Sequence, residues 1–369
     1  MYSFNLFSFL FIVATIIFGY NKTYKYILLN LSLIWCLFII VNTHNYFIIY
    51  ISIEVMSYIF LFIYLDQKIY WLNLYTSIIY FLILSGSSLL FIIFLYFVLQ
   101  NNLNTSIFFF LSHYNIFLFF YCFIKLGLHP FSDWLIKLLY KSNWFFFMFY
   151  SSLSKFSFIF LLLLLDWNIL YFILLYQSIF YFSIMILKEI NFKTIIIFSS
   201  LIHLCFIIII NILDKINPIK YILLYLFLYI GFLYILLNFS YSFKINKYVT
   251  FNEFYSFKYK NAILLFLFII ALVSLWGLPF LTGFTLKYFL FFNLLQNNYI
   301  ITNIFLFLIV ILNLFYVLLL VFNSLGISRS SFFLIKSLLF PFSLNLNIYI
   351  FSFFSTLLLY PIPVIYFLY

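Results

Sequence analysis

Four ionisable side chains interrupt long apolar stretches of this sequence: Glu54, Lys125, Lys155 and Lys287. A charge at the centre of a bilayer costs roughly 2.5–3.5 kcal/mol, so such a residue indicates a functional site. Burial disfavours the charged form of an amine and a nearby carboxylate favours it, so with one acid among three amines the two effects can leave an amine able to gain and lose a proton near neutral pH. The alternatives are a lysine that reaches the membrane surface and a glutamate that only anchors packing. We predict that the four residues form a proton relay.

Two of the lysines lie beside residues that break helices. Lys125 comes shortly before His129 and Pro130, and Lys287 follows Gly277 and Pro279. Proline lacks a backbone donor, and broken helices at membrane depth are tolerated where they line a polar cavity. We therefore predict two broken helices around a transport site, with an ordinary proline kink as the alternative.

The remaining candidate for the relay is His203, which lies in the middle of an apolar stretch. It either continues the relay through water or is a core histidine bonded to a neighbouring hydroxyl. The three cysteines are scattered, and no nucleotide-binding or hydrolase motif occurs. We expect no cofactor, no metal, no redox centre and no nucleic-acid partner in this chain.

The elements that must position these residues are membrane spans. The chain has 369 residues, of which 68% are apolar and 7% charged, and its mean hydropathy is +1.25. This composition excludes a water-soluble protein, which needs about a quarter of its residues charged. Because about 20 apolar residues cross a bilayer as a helix, we predict an all-α polytopic membrane protein with twelve spans. They cover 2–20, 26–40, 46–65, 74–99, 107–128, 144–165, 169–187, 194–213, 219–237, 262–295, 300–322 and 348–368.

Basic residues are distributed unevenly between the connections. Thirteen lie in odd-numbered connections, and only Lys215 and Lys220 lie in even-numbered ones. The positive-inside rule then places the odd connections on the matrix side and both termini on the intermembrane-space side. The net charge of +11 predicts contact with anionic lipid such as cardiolipin. The abundance of residues with AT-rich codons (60 Phe and 34 Tyr) favours a mitochondrially encoded protein of the inner membrane.

Several motifs resemble those of one known family. Lys125-Leu-Gly-Leu-His-Pro-Phe-Ser-Asp-Trp134 resembles the K-L-G-x-x-P-F-x-x-W signature of subunit 2 of mitochondrial NADH:ubiquinone oxidoreductase (respiratory complex I). Gly277-Leu-Pro-Phe-Leu-Thr-Gly-Phe-Thr-Leu-Lys287 resembles its G-L-P-P-L-T-G-F-x-x-K signature, and the segments around Glu54 and His203 also match.

The resemblance implies a fold and a role for each residue. It implies two inverted five-helix repeats at 26–165 and 166–323, preceded by an extra helix at 1–25 and followed by a loop and helix at 324–369. Glu54 and Lys125 would be the charged pair of the first repeat, Lys155 the connecting lysine and Lys287 the terminal lysine of the second. NADH, FMN, iron–sulfur clusters and ubiquinone would bind elsewhere in the complex, and other membrane-arm subunits would be the partners.

The chain departs from the family signature at two places. An acidic continuation is replaced by Trp134-Leu-Ile-Lys137, and Phe280 stands where the second proline is expected, as in the sister subunit 5.

From the buried charges and the resemblance together, we expect an antiporter-like subunit that translocates protons without a redox centre of its own. A stand-alone cation/proton antiporter and a structural membrane scaffold that does not pump are the alternatives.

Overall fold

The structure is a computed structural model that describes residues 24–43, 45–65, 72–103, 111–162, 169–213, 269, 272–273, 276, 282–297 and 299–325. These residues form helices and the turns between them, without a β-strand. The chain divides between Tyr171 and Phe172 into two compact units.

The first unit is a bundle of apolar helices. Their bounds are α1 Tyr24–Asn42, α2 Tyr46–Leu65, α3 Leu72–Leu103, α4 Leu111–Leu126, α5 Asp133–Lys141, α6 Trp144–Phe149 and α7 Lys155–Leu162. Helix α3 packs against α2, α4 and α5, and α7 packs against α1 and α4. One face of α2 is buried, whereas Phe47, Ile51 and Phe62 on its other face are exposed. Large exposed apolar side chains on a long helix are typical of a surface that faces lipid.

Two local features interrupt the helices of this unit. Helix α4 ends at Leu126, because Gly127 has φ +66°, a left-handed conformation that ends many helices. Residues Tyr150–Ser154, between α6 and α7, form a π-helical turn. Such turns occur mostly as single insertions within α-helices and often lie at functional sites.

The second unit contains α8 Ile169–Lys188, which begins just before the division, and α9 Phe192–Leu213, α10 Thr282–Gln296 and α11 Ile300–Leu325. Helix α10 packs against α9 and α11. Aromatic pairs align α8 with α11, since Phe172 contacts the ring of Tyr299 and Phe180 that of Phe305.

Five helices of the described part of the chain are long and apolar enough to cross a membrane: Tyr46–Leu65, Leu74–Val98, Leu170–Lys188, Phe192–Ile210 and Ile300–Leu319. This confirms the prediction of an all-helical membrane protein. The predicted spans at 2–20, 219–237 and 348–368 lie outside the described residues, so the number of twelve and the inverted repeats stay predictions. The same holds for the predicted broken helix at Gly277 and Pro279.

Candidate functional site

The centre of the first unit holds a buried ion pair. Lys125 Nζ lies 3.0 Å from Glu54 Oε1, which joins the end of α4 to the middle of α2. The lysine side chain is 2% exposed and the carboxylate 12%, so the pair is nearly withdrawn from solvent. A buried charge of this kind is tolerated when it is paired and hydrogen-bonded. The structure therefore brings together two of the predicted relay residues, which are 71 positions apart in the sequence.

Tyr121 is a third member of this site, and sequence reasoning missed it. Its hydroxyl donates to the same Glu54 oxygen at 3.2 Å, and Lys125 Nζ lies 5.4 Å from the centre of its ring. The ring is fully buried and packs edge-on against Phe91 and Phe158. Tyr121 and Lys125 are four residues apart and so share one face of α4, which is the signal that could have revealed it.

The end of α4 fixes the position of Lys125. Gly127 and Leu128 donate backbone hydrogen bonds to Ile124 and Phe123, which closes the helix. A Cβ atom on Gly127 would lie 2.8 Å from Leu135 Cβ, so the turn packs directly on α5. The predicted break residue Pro130 lies in the following turn, before α5 begins at Asp133.

A small cavity extends from Lys125 towards the π-helical turn. Its volume is about 10 Å³, which is about the room that one water molecule needs. Apolar side chains such as Ile53, Met56 and Leu84 form most of its lining, together with Lys125 and the hydroxyl-bearing residues Ser57, Tyr80, Tyr150, Ser154 and Ser157. The ring of Tyr150 lies edge-on to that of Tyr80, with centroids 6.1 Å apart, and Ser154 Oγ donates to the Tyr150 backbone carbonyl. The cavity therefore lies between Lys125 on α4 and the turn between α6 and α7.

Lys155 begins α7 directly after this turn and is fully buried. The serines at 154 and 157, on either side of it in the sequence, line the cavity that also contacts Lys125. The first unit thus holds Glu54 on α2, Lys125 on α4 and Lys155 at the start of α7.

In the second unit, His203 lies in the middle of α9. Every residue from Phe192 to Ile210 is buried, so protein surrounds this helix on all sides. The imidazole is itself buried and contacts the ring of Phe206 edge-on. Cys205, two residues further on, lies 3.0 Å from the Ser178 hydroxyl of α8.

Lys287 is buried in α10, and its amine donates to the backbone carbonyl of Trp276. The predicted break residues between these positions, Gly277 and Pro279, lie outside the described residues.

Sequence reasoning also missed a buried lysine at the start of α9. The predicted span at 194–213 leaves Lys193 in a connection, but α9 begins at Phe192 and the side chain of Lys193 is fully buried. Nearby, Thr194 Oγ1 donates to Glu189 Oε2 at 3.0 Å, and the Tyr316 hydroxyl donates to the Glu189 carbonyl oxygen at 2.9 Å. No group of three or more His, Cys, Asp and Glu side chains among the described residues is arranged to hold a metal ion.

Solved structures with the same fold belong to large membrane complexes. A chain of respiratory complex I from Thermus thermophilus, with bound aureothin, matches with a TM-score of 0.72 and 18% identity, covering 86% of this chain and 74% of that one. A chain of the Mrp complex from Dietzia sp. DQ12-45-1b matches with a TM-score of 0.73 and 14% identity, covering 86% and 64%. The membrane-bound sulfane sulfur reductase, an archaeal respiratory membrane complex, matches with a TM-score of 0.74 and 13% identity, covering 93% and 74%.

At these identities the structural matches show the fold alone, and no curated protein matches the sequence. The family described as NADH:quinone oxidoreductase/Mrp antiporter, TM, matches residues 43–315, and this range contains all five candidate relay residues. Because the match covers most of the chain, this protein belongs to the NADH:quinone oxidoreductase/Mrp antiporter family of membrane subunits.

Proposed function

We propose that this chain is a proton-translocating, antiporter-like subunit of the membrane arm of a respiratory complex I, equivalent to subunit 2. Electron transfer from NADH to ubiquinone elsewhere in the complex would drive it. The observation that carries this proposal is the buried Glu54–Lys125 pair, with the small cavity beside Lys125. A scaffold that does not pump has no need of a charged pair in its interior.

In this proposal the pair opens and closes as the complex turns over. When Lys125 leaves Glu54, its proton can move through the hydroxyl groups and water of the cavity towards Lys155. His203 and Lys287 continue the relay in the second unit. Removing one partner of a buried ion pair costs roughly 3–5 kcal/mol, whereas moving one charge against 100 mV costs about 2.3 kcal/mol. The free-energy difference between the closed and the open pair is therefore large enough to gate the transfer of one proton.

The remaining parts of the proposal are the expectations drawn from the amino-acid sequence. The repeats would cover 26–165 and 166–323, within twelve spans, and both termini would face the intermembrane space of a mitochondrion. NADH, FMN, iron–sulfur clusters and ubiquinone would bind to other subunits, and cardiolipin would contact the basic side.

The test is Glu54→Gln in the assembled complex, reconstituted in vesicles, with proton uptake measured per electron pair transferred. We expect pumping to fall while the complex still assembles, because the glutamine keeps an acceptor for Lys125 but removes the charge. Asp133→Asn is the matched control, since Asp133 is exposed at the start of α5. Undiminished pumping by a correctly assembled Glu54→Gln complex would refute the relay.

A second candidate function is cation/proton antiport, which the fold match to the Mrp complex favours. It is distinguished by sodium or potassium flux that depends on Glu54 and needs no electron transfer. Turnover-linked pumping without such a flux would exclude this second function.

A further inference from the structure

The outer surface of α8 carries a polar side chain in the middle of a membrane span. Gln177 lies near the centre of the Leu170–Lys188 span and is exposed, as are Ile173 and Phe180 on the same side of the helix. No hydrogen bond joins its amide to any residue that the structure describes. In lipid the amide would stay without a partner at this depth, because the hydrocarbon core contains no water.

The other described spans keep amides away from their exposed surfaces. On α3 the exposed side chains are apolar over the middle of the span, and exposed tyrosines lie near its two ends, at Tyr75 and Tyr96. This pattern is typical of a helix that faces lipid, because tyrosine hydroxyls reach the headgroup level there. On α11, Asn303 and Asn313 are buried. Gln177 is therefore the one amide on an exposed surface within the five described spans.

Gln177 is part of a regular seam along α8. The seam residues follow one another at intervals of four, three, four and three: Ile173, Gln177, Phe180, Ile184 and Leu187. All are exposed except Ile184, which is half-buried. This alternation is the heptad pattern by which two helices pack along their length, and a single amide within such a seam fixes the register of the partner helix. Phe180 also contacts Phe305 of α11, so α11 borders the seam.

A second helix accounts for both features of the seam. Helices in a membrane associate through close packing and interhelical hydrogen bonds, since lipid is as apolar as the side chains it covers. Contact with lipid explains the apolar seam residues but not Gln177. A helix with a hydrogen-bonding side chain at the same depth would pack on the former and bond to the latter.

The charge at the end of the seam indicates which helix this is. Lys188 directly follows Leu187 and is exposed. Two copies of this chain have the same orientation in the membrane, so a symmetric pair would bring their two Lys188 side chains together, and like charges facing each other are unfavourable. A helix from a different subunit avoids this repulsion and can place an acidic residue near Lys188.

We infer that the α8 seam is the docking site for one membrane-spanning helix of another subunit, which bonds to Gln177 through a Ser, Thr, Asn or Gln side chain. The inference requires assembly with another subunit but not proton transfer. The pumping result for Glu54→Gln therefore does not bear on it.

Site-specific photo-crosslinking identifies what covers the seam. Gln177 is replaced by the photoreactive residue benzoylphenylalanine in the assembled complex in its membrane, and the cross-linked products are sequenced by mass spectrometry. Leu89 of α3, which is 61% exposed near the middle of its span, is replaced in the same way as the matched control. Ile173, which is 57% exposed in the seam, is the second position if the variant at 177 does not assemble.

We expect position 177 to cross-link to the membrane span of one other subunit, with a Ser, Thr, Asn or Gln residue within one helical turn of the attachment point. Position 89 should give lipid adducts. Lipid adducts at both positions overturn the docking site. A cross-link from position 177 to another segment of this chain, or to a second copy of it, also overturns the proposal.

Gln177→Leu measures the contribution of the amide. We expect the cross-linked subunit to dissociate from the complex in detergent about 3- to 15-fold faster, which corresponds to the loss of one interhelical hydrogen bond. On a surface that faces lipid, leucine would instead be neutral or favourable, so an unchanged or slower dissociation overturns the proposal. Leu89→Ile on α3 is the control and should leave the rate unchanged. Complexes that stay intact should pump normally, because Gln177 is not part of the relay.

Discussion

Removing one hydroxyl group from the ion-pair site, by Tyr121→Phe, tests how the pair opens. Tyr121 and Lys125 donate to the same oxygen of Glu54, at 3.2 and 3.0 Å. When Lys125 leaves, the tyrosine hydroxyl is the donor that remains on the carboxylate. The ring stays packed against Phe91 and Phe158 in the variant, so the volume that the ring occupies is unchanged.

The expected cost follows from this geometry. A hydrogen bond to a charged group contributes about 1.5–3 kcal/mol, and each 1.36 kcal/mol is a factor of ten in rate. If proton transfer requires the open pair, Tyr121→Phe makes that state rarer by at most about 10- to 150-fold, because the same hydroxyl also donates to Glu54 in the closed pair. The closed pair keeps its lysine, so we expect a smaller effect on assembly than on pumping.

The assay is proton uptake by vesicles that contain the assembled complex, measured at several pH values together with electron transfer. Tyr64→Phe is the matched control. Tyr64 is also fully buried on α2, but its hydroxyl bonds to the neutral Thr76 at 2.7 Å. The reasoning fails if Tyr121→Phe pumps like the native complex, or if both variants lose pumping equally with the same pH profile.

Two further variants test the helix ends. Gly127→Ala should destabilise the complex by about 1–3 kcal/mol, because Gly127 has a positive φ and an added Cβ would collide with Leu135. Gly86→Ala is the control and should not destabilise it, because a Cβ there meets open space. The melting temperature of the purified complex measures both variants, and equal melting temperatures would contradict the role of the Gly127 turn. Tyr316→Phe removes the hydrogen bond to the Glu189 carbonyl oxygen. Protease cleavage of the α8–α9 turn should then increase about 2- to 10-fold, which is equivalent to about 0.5–1.5 kcal/mol of local stability. An unchanged cleavage rate would show that this hydrogen bond does not stabilise the turn.

The contact between Glu54 and Lys125 could be predicted from the sequence for an energetic reason, whereas their part in a proton relay stays a prediction. A lone carboxylate among apolar residues needs a partner, so Glu54 had to meet a cation, and the resemblance selected Lys125. Tyr121 was missed because the chain has 34 tyrosines, and the residue type alone does not show which of them lies beside the ion pair. The π-helical turn at Tyr150–Ser154 has no signal in the residue pattern, because it depends on packing between helices.

Lys193 was misplaced for a different reason. Helix boundaries cannot be read from a sequence to better than a few residues, and this lysine falls at such a boundary. Its burial results from the helices that surround α9, which hydropathy does not describe.

Hydropathy ranks α3 and α9 as nearly equal, yet their surroundings differ completely. About a quarter of the α3 span is buried, whereas the Phe192–Ile210 stretch of α9 is buried on every side. Lipid chains adapt to the shape of a side chain, but neighbouring helices do not, so a change of one methylene in α9 leaves a void or a clash. During evolution, α3 is therefore free to exchange phenylalanine, leucine and isoleucine on its outer surface as codon bias drifts. Helix α9 should change slowly and in step with its neighbours, and related chains will diverge from the outside of the bundle inwards.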